Sequence, residues 1–265
     1  MKFLAALRFI TVVRLPYQRE ASSEELGGSM VYFPVVGLII GLILAALSWL
    51  LGHVLPPSVV NSLLIVSLVV ITGGLHLDGL SDTCDGLAGH KTAEERWQVM
   101  HDSRAGAFGI IGVVLVLLLK YVSLNSVPED LVLVTLVLMP VVSRWAMFYT
   151  VFAFPYARPS GLGRVFKDGA TWPGFTIATV VTLILTVGFV RLVTTTYFYL
   201  AGLVIMFGVW IICTAFAVYF KRKFAGLTGD TYGAINEVAE VSVLLLVCLL
   251  AYNNWLGLAW SWWMV

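Results

Sequence analysis

The chain has 265 residues, 60% of them hydrophobic and only 12% charged, with a mean hydropathy of +0.94. That balance lies outside the range of soluble globular domains and describes an integral membrane protein. The formal net charge of +1 is uninformative about nucleic acid, which is not expected as a partner; only the sorting of charge along the chain carries meaning.

The N-terminal stretch MKFLAALRFITVVRLPYQRE starts basic, but Arg8 and Arg14 interrupt its apolar run and no A-x-A site follows, so it does not read as a signal peptide. Residues 2–14 interleave Phe3, Leu4, Leu7, Ile10 and Val13 with Lys2, Arg8 and Arg14, which predicts a helix lying in the membrane interface within an arm over residues 1–30. The plainer alternative is a positive tail that only sets orientation.

Hydropathy then predicts seven spans, at about residues 31–52, 59–77, 107–124, 131–152, 174–192, 197–220 and 238–256, each the length a helix needs to cross about 30 Å of hydrocarbon. The fold class is therefore all-α, a polytopic helix bundle forming one membrane domain over residues 1–265. Polar connections fall at about residues 78–106, 153–173 and 221–237. Thirteen of the sixteen Lys and Arg residues sit in the arm (Lys2, Arg8, Arg14, Arg19) and in these connections (Lys91, Arg96, Arg104; Arg158, Arg164, Lys167; Lys221, Arg222, Lys223). Of the others, Arg144 falls in the half of its span nearest the second connection, and Lys120 and Arg191 near the opposite face. The positive-inside bias predicts a multi-pass protein of the cell (inner) membrane, with a cytoplasmic N-terminus, an external C-terminus and all three polar connections in the cytoplasm. Cys84, Cys213 and Cys248 form no CxxC pair and suggest neither zinc nor a disulfide framework.

The segment GGLHLDGLSDTCDGLAGH, residues 73–90, is dense in acid for so apolar a chain. Asp78, Asp82 and Asp85 are spaced i, i+4, i+7, which places them on one helical stripe. Like charges a turn apart repel, so a cation is expected among them. Oxygen donors in this pattern suit Mg²⁺ shared with substrate phosphates, whereas the plainer reading is a solvated acidic face. Gly73, Gly74, Gly79 and Gly86 permit close approach of backbone or ligand. His76 is a ligand, a proton shuttle or a packed interfacial histidine, the last being the ordinary use.

Three more segments suit phosphate chemistry. In HDSRAGAFG, residues 101–109, Asp102 is a further metal ligand, Ser103 caps the next span, and that helix N-terminus with Arg104 favours an anion; its glycines serve close helix packing equally well. ARPSGLGRVFKDG, residues 157–169, combines Arg158, Arg164 and Lys167 with Gly161 and Gly163, a composition that wraps phosphate. GLTGDTYGAINEVAE, residues 226–240, brings Asp230, Asn236, Glu237 and Glu240 to the mouth of the last span, where acids usually face a polar cavity.

These four motifs in this order, with ALRFITVVRLP and YFPVVGLIIG before them, resemble the adenosylcobinamide-GDP ribazoletransferase (cobalamin-5'-phosphate synthase) family from the N-terminus through the last span. Departures are modest: DGLSDTCDG stands where DGLADTADG is expected, and His101 with DSRAG where a lysine and DSRIG are expected. Ser81, Cys84 and Ala105 are thus not expected to carry essential chemistry, and the need for a cation at His101 stays open. The resemblance implies Mg²⁺-dependent transfer of the corrinoid phosphoryl group of adenosylcobinamide-GDP to α-ribazole or its 5'-phosphate, with release of GMP. On that reading Asp78, Asp82, Asp85 and Asp102 hold metal, and Asp82, Asp85 and His76 are the catalytic candidates, Asp85 as general base by analogy with other membrane phosphotransferases. Ser103, Arg104, Arg158, Gly161, Arg164, Asp230, Asn236 and Glu237 bind substrate. Association with other cobalamin-assembly enzymes is one expected reason for the membrane location.

Two other readings compete. CDP-alcohol phosphotransferases also use an aspartate cluster beginning Asp-Gly, which Asp78-Gly79 matches, but Ser81-Asp82 stands where Ala-Arg belongs. A divalent-cation transporter would place its polar groups near the midplane, often within internal repeats, whereas here the acids cluster toward one face.

Overall fold

The computed structural model describes residues 1–13, 21–89, 92–102, 104–193 and 199–253. In chain order the helices are α1 (Lys2–Ile10), α2 (Ser23–Gly27), α3 (Phe33–Leu51), α4 (Pro57–Thr72), α5 (Leu75–Leu87), α6 (Ala93–Met100), α7 (Ala107–Ser126), α8 (Glu129–Ala153), α9 (Leu162–Gly169), α10 (Trp172–Val193), α11 (Tyr199–Phe224) and α12 (Gly229–Tyr252), with a 3-10 turn at Gly28–Tyr32. Among the described residues the only extended pairing is one parallel bridge between Tyr156 and Leu227. Six helical runs, ending in or formed by α3, α7, α8, α10, α11 and α12, are long and apolar enough to cross a membrane.

The seventh expected span is α4, and it stops short of residue 77. Gly73 and Gly74 both take left-handed backbone, at φ +63° and +70°, a conformation that favours glycine and ends the helix at Thr72. The chain resumes as α5 at 89° to α4. α5 thereby runs across the ends of α7 and α12: Gly79 meets the first turn of α12, and Gly109 and Gly112 of α7 meet Ser81 and Cys84. The Arg96 guanidinium of α6 donates to the carbonyls of Gly86 (2.6 Å) and Gly89 (3.1 Å), satisfying carbonyls a helix C-terminus leaves open. Trp97 ties α6 to the end of α11 through the Phe224 carbonyl, 3.1 Å.

The polar connections are thus largely helical, occupied by α5, α6 and α9. The last span also begins nine residues before the expected 238. Thr228 and Thr231 exchange side-chain and backbone hydrogen bonds in a capping box that starts α12 at Gly229.

α8 forms the buried centre. Gly37 and Gly41 of α3, a small-xxx-small pair, press against backbone at Pro140 and Val137 of α8. In the arm, α1 ends at Ile10, and Ala6 and Ile10 are buried in the protein core. The Val12 amide donates to the Ile71 carbonyl, 2.9 Å, so the arm packs on the bundle. Arg14, Arg19 and Lys91 lie outside the described residues.

A methyl group at Gly41 would meet Val137 Cα at 2.6 Å. Gly41→Leu should therefore cost roughly 1–3 kcal/mol of stability by overpacking, while Leu42→Ala, at an exposed neighbour, should leave the thermal transition in detergent unchanged.

Candidate functional site

α5 carries Asp78, Asp82 and Asp85 on one stripe, but their partners differ. Asp85 accepts hydrogen bonds from the backbone N–H of Gly106 (2.7 Å) and Gly109 (2.9 Å), so both of its oxygens cap the open amides at the start of α7. A side chain at either glycine would collide with that carboxylate. Close packing is thus what the glycines of residues 101–109 provide.

Asp78 and Asp82 meet Asp230, carried by the first turn of α12. Gly79 permits the approach, since a methyl there would meet the Asp230 carbonyl oxygen at 2.7 Å. Burial pushes the Asp82 carboxyl up to about 7, reinforced by the negative charges of Asp78, Asp230 and Asp85 and opposed by Arg158. A carboxyl shifted this far by burial and by neighbouring acids is the kind of group found at functional sites.

The cation nearest this group is Arg158, whose Nη2 lies 3.7 Å from an Asp230 oxygen. Its loop is pinned by the Ala157 N–H donating to the Leu227 carbonyl (2.7 Å) and the Leu227 N–H donating to Pro155 (2.9 Å). Nε and Nη2 of Arg158 are buried without a hydrogen-bond partner among the described residues, so two donors of a phosphate-binding fork remain unspent. His76, one turn before Gly79 and packed against Gly233, is buried with both ring nitrogens equally unpartnered. Burial first, then the Arg144 charge, pulls it well below the usual histidine range, which keeps the ring neutral and suits a hydrogen-bonding group better than a base.

Other expected residues lie elsewhere. Asp102 and Arg104 pair with each other on the surface through hydrogen bonds of 3.0 and 2.8 Å, and the arginine holds the Asp102 carboxyl down at about 2. Ser103 lies outside the described residues. Arg164 bonds Asp168 one turn away at 3.0 Å on the exposed side of α9, and Gly161 precedes that helix with left-handed backbone, φ +112°. Among the described residues no three Asp, Glu, His or Cys side chains close around a metal-sized point. The expected set of Asp78, Asp82, Asp85 and Asp102 does not assemble, because Asp85 caps α7 and Asp102 is turned to solvent. The acids that do gather suit a hard ion held by one or two carboxylates and completed by phosphate and water.

Asn236 and Glu237, expected at the mouth of the last span, lie inside the bundle because α12 starts early. There Lys120 of α7 bonds Glu237 at 2.7 Å and also Glu240, and Arg144 of α8 pairs with Glu240, to which the Asn236 amide donates at 3.1 Å. These residues are all buried. Sequence reasoning placed Lys120 near the far face and missed this network; the available signal was that a cation within a span requires a partner. Lys120→Met would leave one acid uncompensated and should cost about 3–5 kcal/mol, read as loss of folded protein in detergent; Arg222→Met, at the exposed end of α11, should not.

A profile of the cobalamin-5-phosphate synthase family matches residues 2–248. Curated relatives named adenosylcobinamide-GDP ribazoletransferase include those of Geotalea daltonii (38% identical, 92% of this chain and 95% of the relative), Roseiflexus sp. strain RS-1 (40%, 93% and 88%) and Fusobacterium nucleatum (34%, 92% and 95%). No solved structure matches significantly. With the family profile matching nearly the whole chain and relatives 34–40% identical over most of their own length, this chain belongs to the cobalamin-5-phosphate synthase family.

Proposed function

We propose that the chain transfers the corrinoid phosphoryl group of adenosylcobinamide-GDP to α-ribazole or its 5'-phosphate, releasing GMP; its relatives are named adenosylcobinamide-GDP ribazoletransferases. The observation that carries this reading is the meeting of Asp78, Asp82 and Asp230 with an arginine whose donors are unspent. It is a place prepared for a phosphate and a divalent cation together.

In the reaction a ribose hydroxyl oxygen forms a bond to the corrinoid-side phosphorus while the bond from that phosphorus to the bridging oxygen of the diphosphate breaks. GMP leaves with the bond's electron pair. Such transfers ask mainly for positioning and charge stabilisation. Arg158 binds and orients the diphosphate through its open Nε and Nη2. Asp82, poised near neutrality, accepts the hydroxyl proton; it is preferred to Asp85 because both Asp85 oxygens accept amides of α7. Asp78 and Asp230 would hold Mg²⁺, which when bound supplies charge neutralisation to the diphosphate. The distribution of basic residues supports a cytoplasmic location for this end of the bundle, where the nucleotide substrates are soluble.

Purified protein given adenosylcobinamide-GDP, α-ribazole and Mg²⁺ should release GMP in step with the completed corrinoid; release of neither would end the proposal. Asp82→Asn should lower turnover by roughly 10²–10⁴-fold without loss of folded protein. Below about 7 the Asp82 carboxyl is protonated and cannot accept a proton, so kcat/KM should rise with pH through a limb near that value. Raising Mg²⁺ should move the limb to lower pH, because a cation beside Asp78 and Asp230 cancels the charge that holds the proton on Asp82. A profile independent of both pH and Mg²⁺ would remove Asp82 from this role.

A further inference from the structure

A cavity opens beside the acidic cluster, and its two ends differ in chemistry. Asp78 and Asp230 border one end, whereas Phe9, Phe33, Met147 and Phe166 build an apolar wall. The three rings of that wall pack on one another, with centroids 4.6 Å apart for Phe9–Phe166, 5.8 Å for Phe33–Phe166 and 6.2 Å for Phe9–Phe33. They come from α9, α1 and α3, so the arm and the short helix after α8 jointly form a fixed aromatic surface.

Besides Asp78 and Asp230, two polar side chains line this space: His76, 3% exposed, and Tyr232, 4% exposed. Neither ring nitrogen of His76 and no hydroxyl contact of Tyr232 finds a hydrogen-bond partner among the described residues. Buried polar groups are ordinarily partnered. An apolar pocket with a few unspent polar groups, opening onto a phosphate-binding site, has the make-up of a site for a flat heteroaromatic ring.

We propose that this cavity is the subsite for the base of the incoming nucleoside, an apolar fused two-ring heteroaromatic with one free ring nitrogen. The proposal rests on the ribazole-transfer reading above and deepens it. The base lies against Phe9 and Phe166, and its free nitrogen accepts a hydrogen bond from whichever nitrogen of His76 carries the proton. The ribose then extends toward Asp78 and Asp230, where its hydroxyl meets the diphosphate. The same wall rejects a guanine base, whose amide and amino groups would be buried without partners. The incoming nucleoside and the departing GMP are thereby kept apart.

Steady-state kinetics with the full-length protein test this, using α-ribazole and an isosteric nucleoside in which the free ring nitrogen is replaced by C–H. The wild type should favour α-ribazole by about tenfold in kcat/KM, the scale of one hydrogen bond, and His76→Leu should erase that preference. Leu162→Trp adds a ring to the cavity from a position that is 49% exposed, so it fills the space without disturbing the core. It should raise the KM for α-ribazole by about tenfold or more while the KM for adenosylcobinamide-GDP stays within about twofold. If His76→Leu does not fold, Leu162→Trp decides alone. Wild-type turnover with both the analogue preference and the nucleoside KM unmoved in the variants overturns the subsite and assigns the cavity to something else, such as a lipid chain. Absence of turnover in the wild type instead overturns the ribazole-transfer reading, and the subsite with it.

Discussion

Glu237 and Glu240 sit inside the bundle, where a carboxylate without a partner costs several kcal/mol, and Lys120 and Arg144 reach them from two neighbouring helices. Two negative and two positive charges cancel in place. Because the cations come from α7 and α8, the pairing fixes the rotation and depth of α12 against both. α5 packs across the start of α12, through Gly79 against Asp230 and Gly233 against His76. The position of every acid in the candidate site therefore follows from how the buried pairs seat α12.

The two acidic groups of the bundle differ in how their charge is met. In the interior, charge is balanced two against two, with Nε and Nη2 of Arg144 and Oδ1 of Asn236 left without a hydrogen-bond partner among the described residues. At the end crossed by α5, Asp78, Asp82 and Asp230 gather around one nearby arginine, and burial together with the neighbouring acids pushes the Asp82 carboxyl up to about 7. The oxygens of Asp85 are instead taken by two amides at the start of α7. A site with surplus acid beside unspent guanidinium donors is matched to a ligand carrying both a divalent cation and phosphate oxygens. The reaction proposed above would bring such a ligand.

Much of this was legible in the sequence, and the failures share a cause. Apolar runs of span length predicted seven crossing helices because each interaction involved is local to its helix. The register of the acidic stripe followed from helical periodicity for the same reason. The end of α4 was misplaced because His76 and Asp78 follow an unbroken apolar run, although the Gly73-Gly74 pair that turns the chain was itself a visible breaker. The start of α12 was misplaced because Asp230, Asn236, Glu237 and Glu240 lower the hydropathy of a segment that the bundle nevertheless buries. The pairs Lys120–Glu237 and Arg144–Glu240 join residues about a hundred positions apart, which no local pattern records. The same limit hid the fate of Asp85: spacing shows which face a carboxylate occupies but not what meets that face.

The most direct test of the central claim is magnetic resonance on the protein loaded with Mn²⁺ in place of Mg²⁺, in the presence of adenosylcobinamide-GDP. The account predicts resolved ³¹P hyperfine couplings from the diphosphate to the bound ion, lost together with tight Mn²⁺ binding in Asp78→Asn and retained in the surface variant Asp102→Asn. A bound ion without phosphorus coupling, or one that survives Asp78→Asn and is lost with Asp102→Asn, would contradict it.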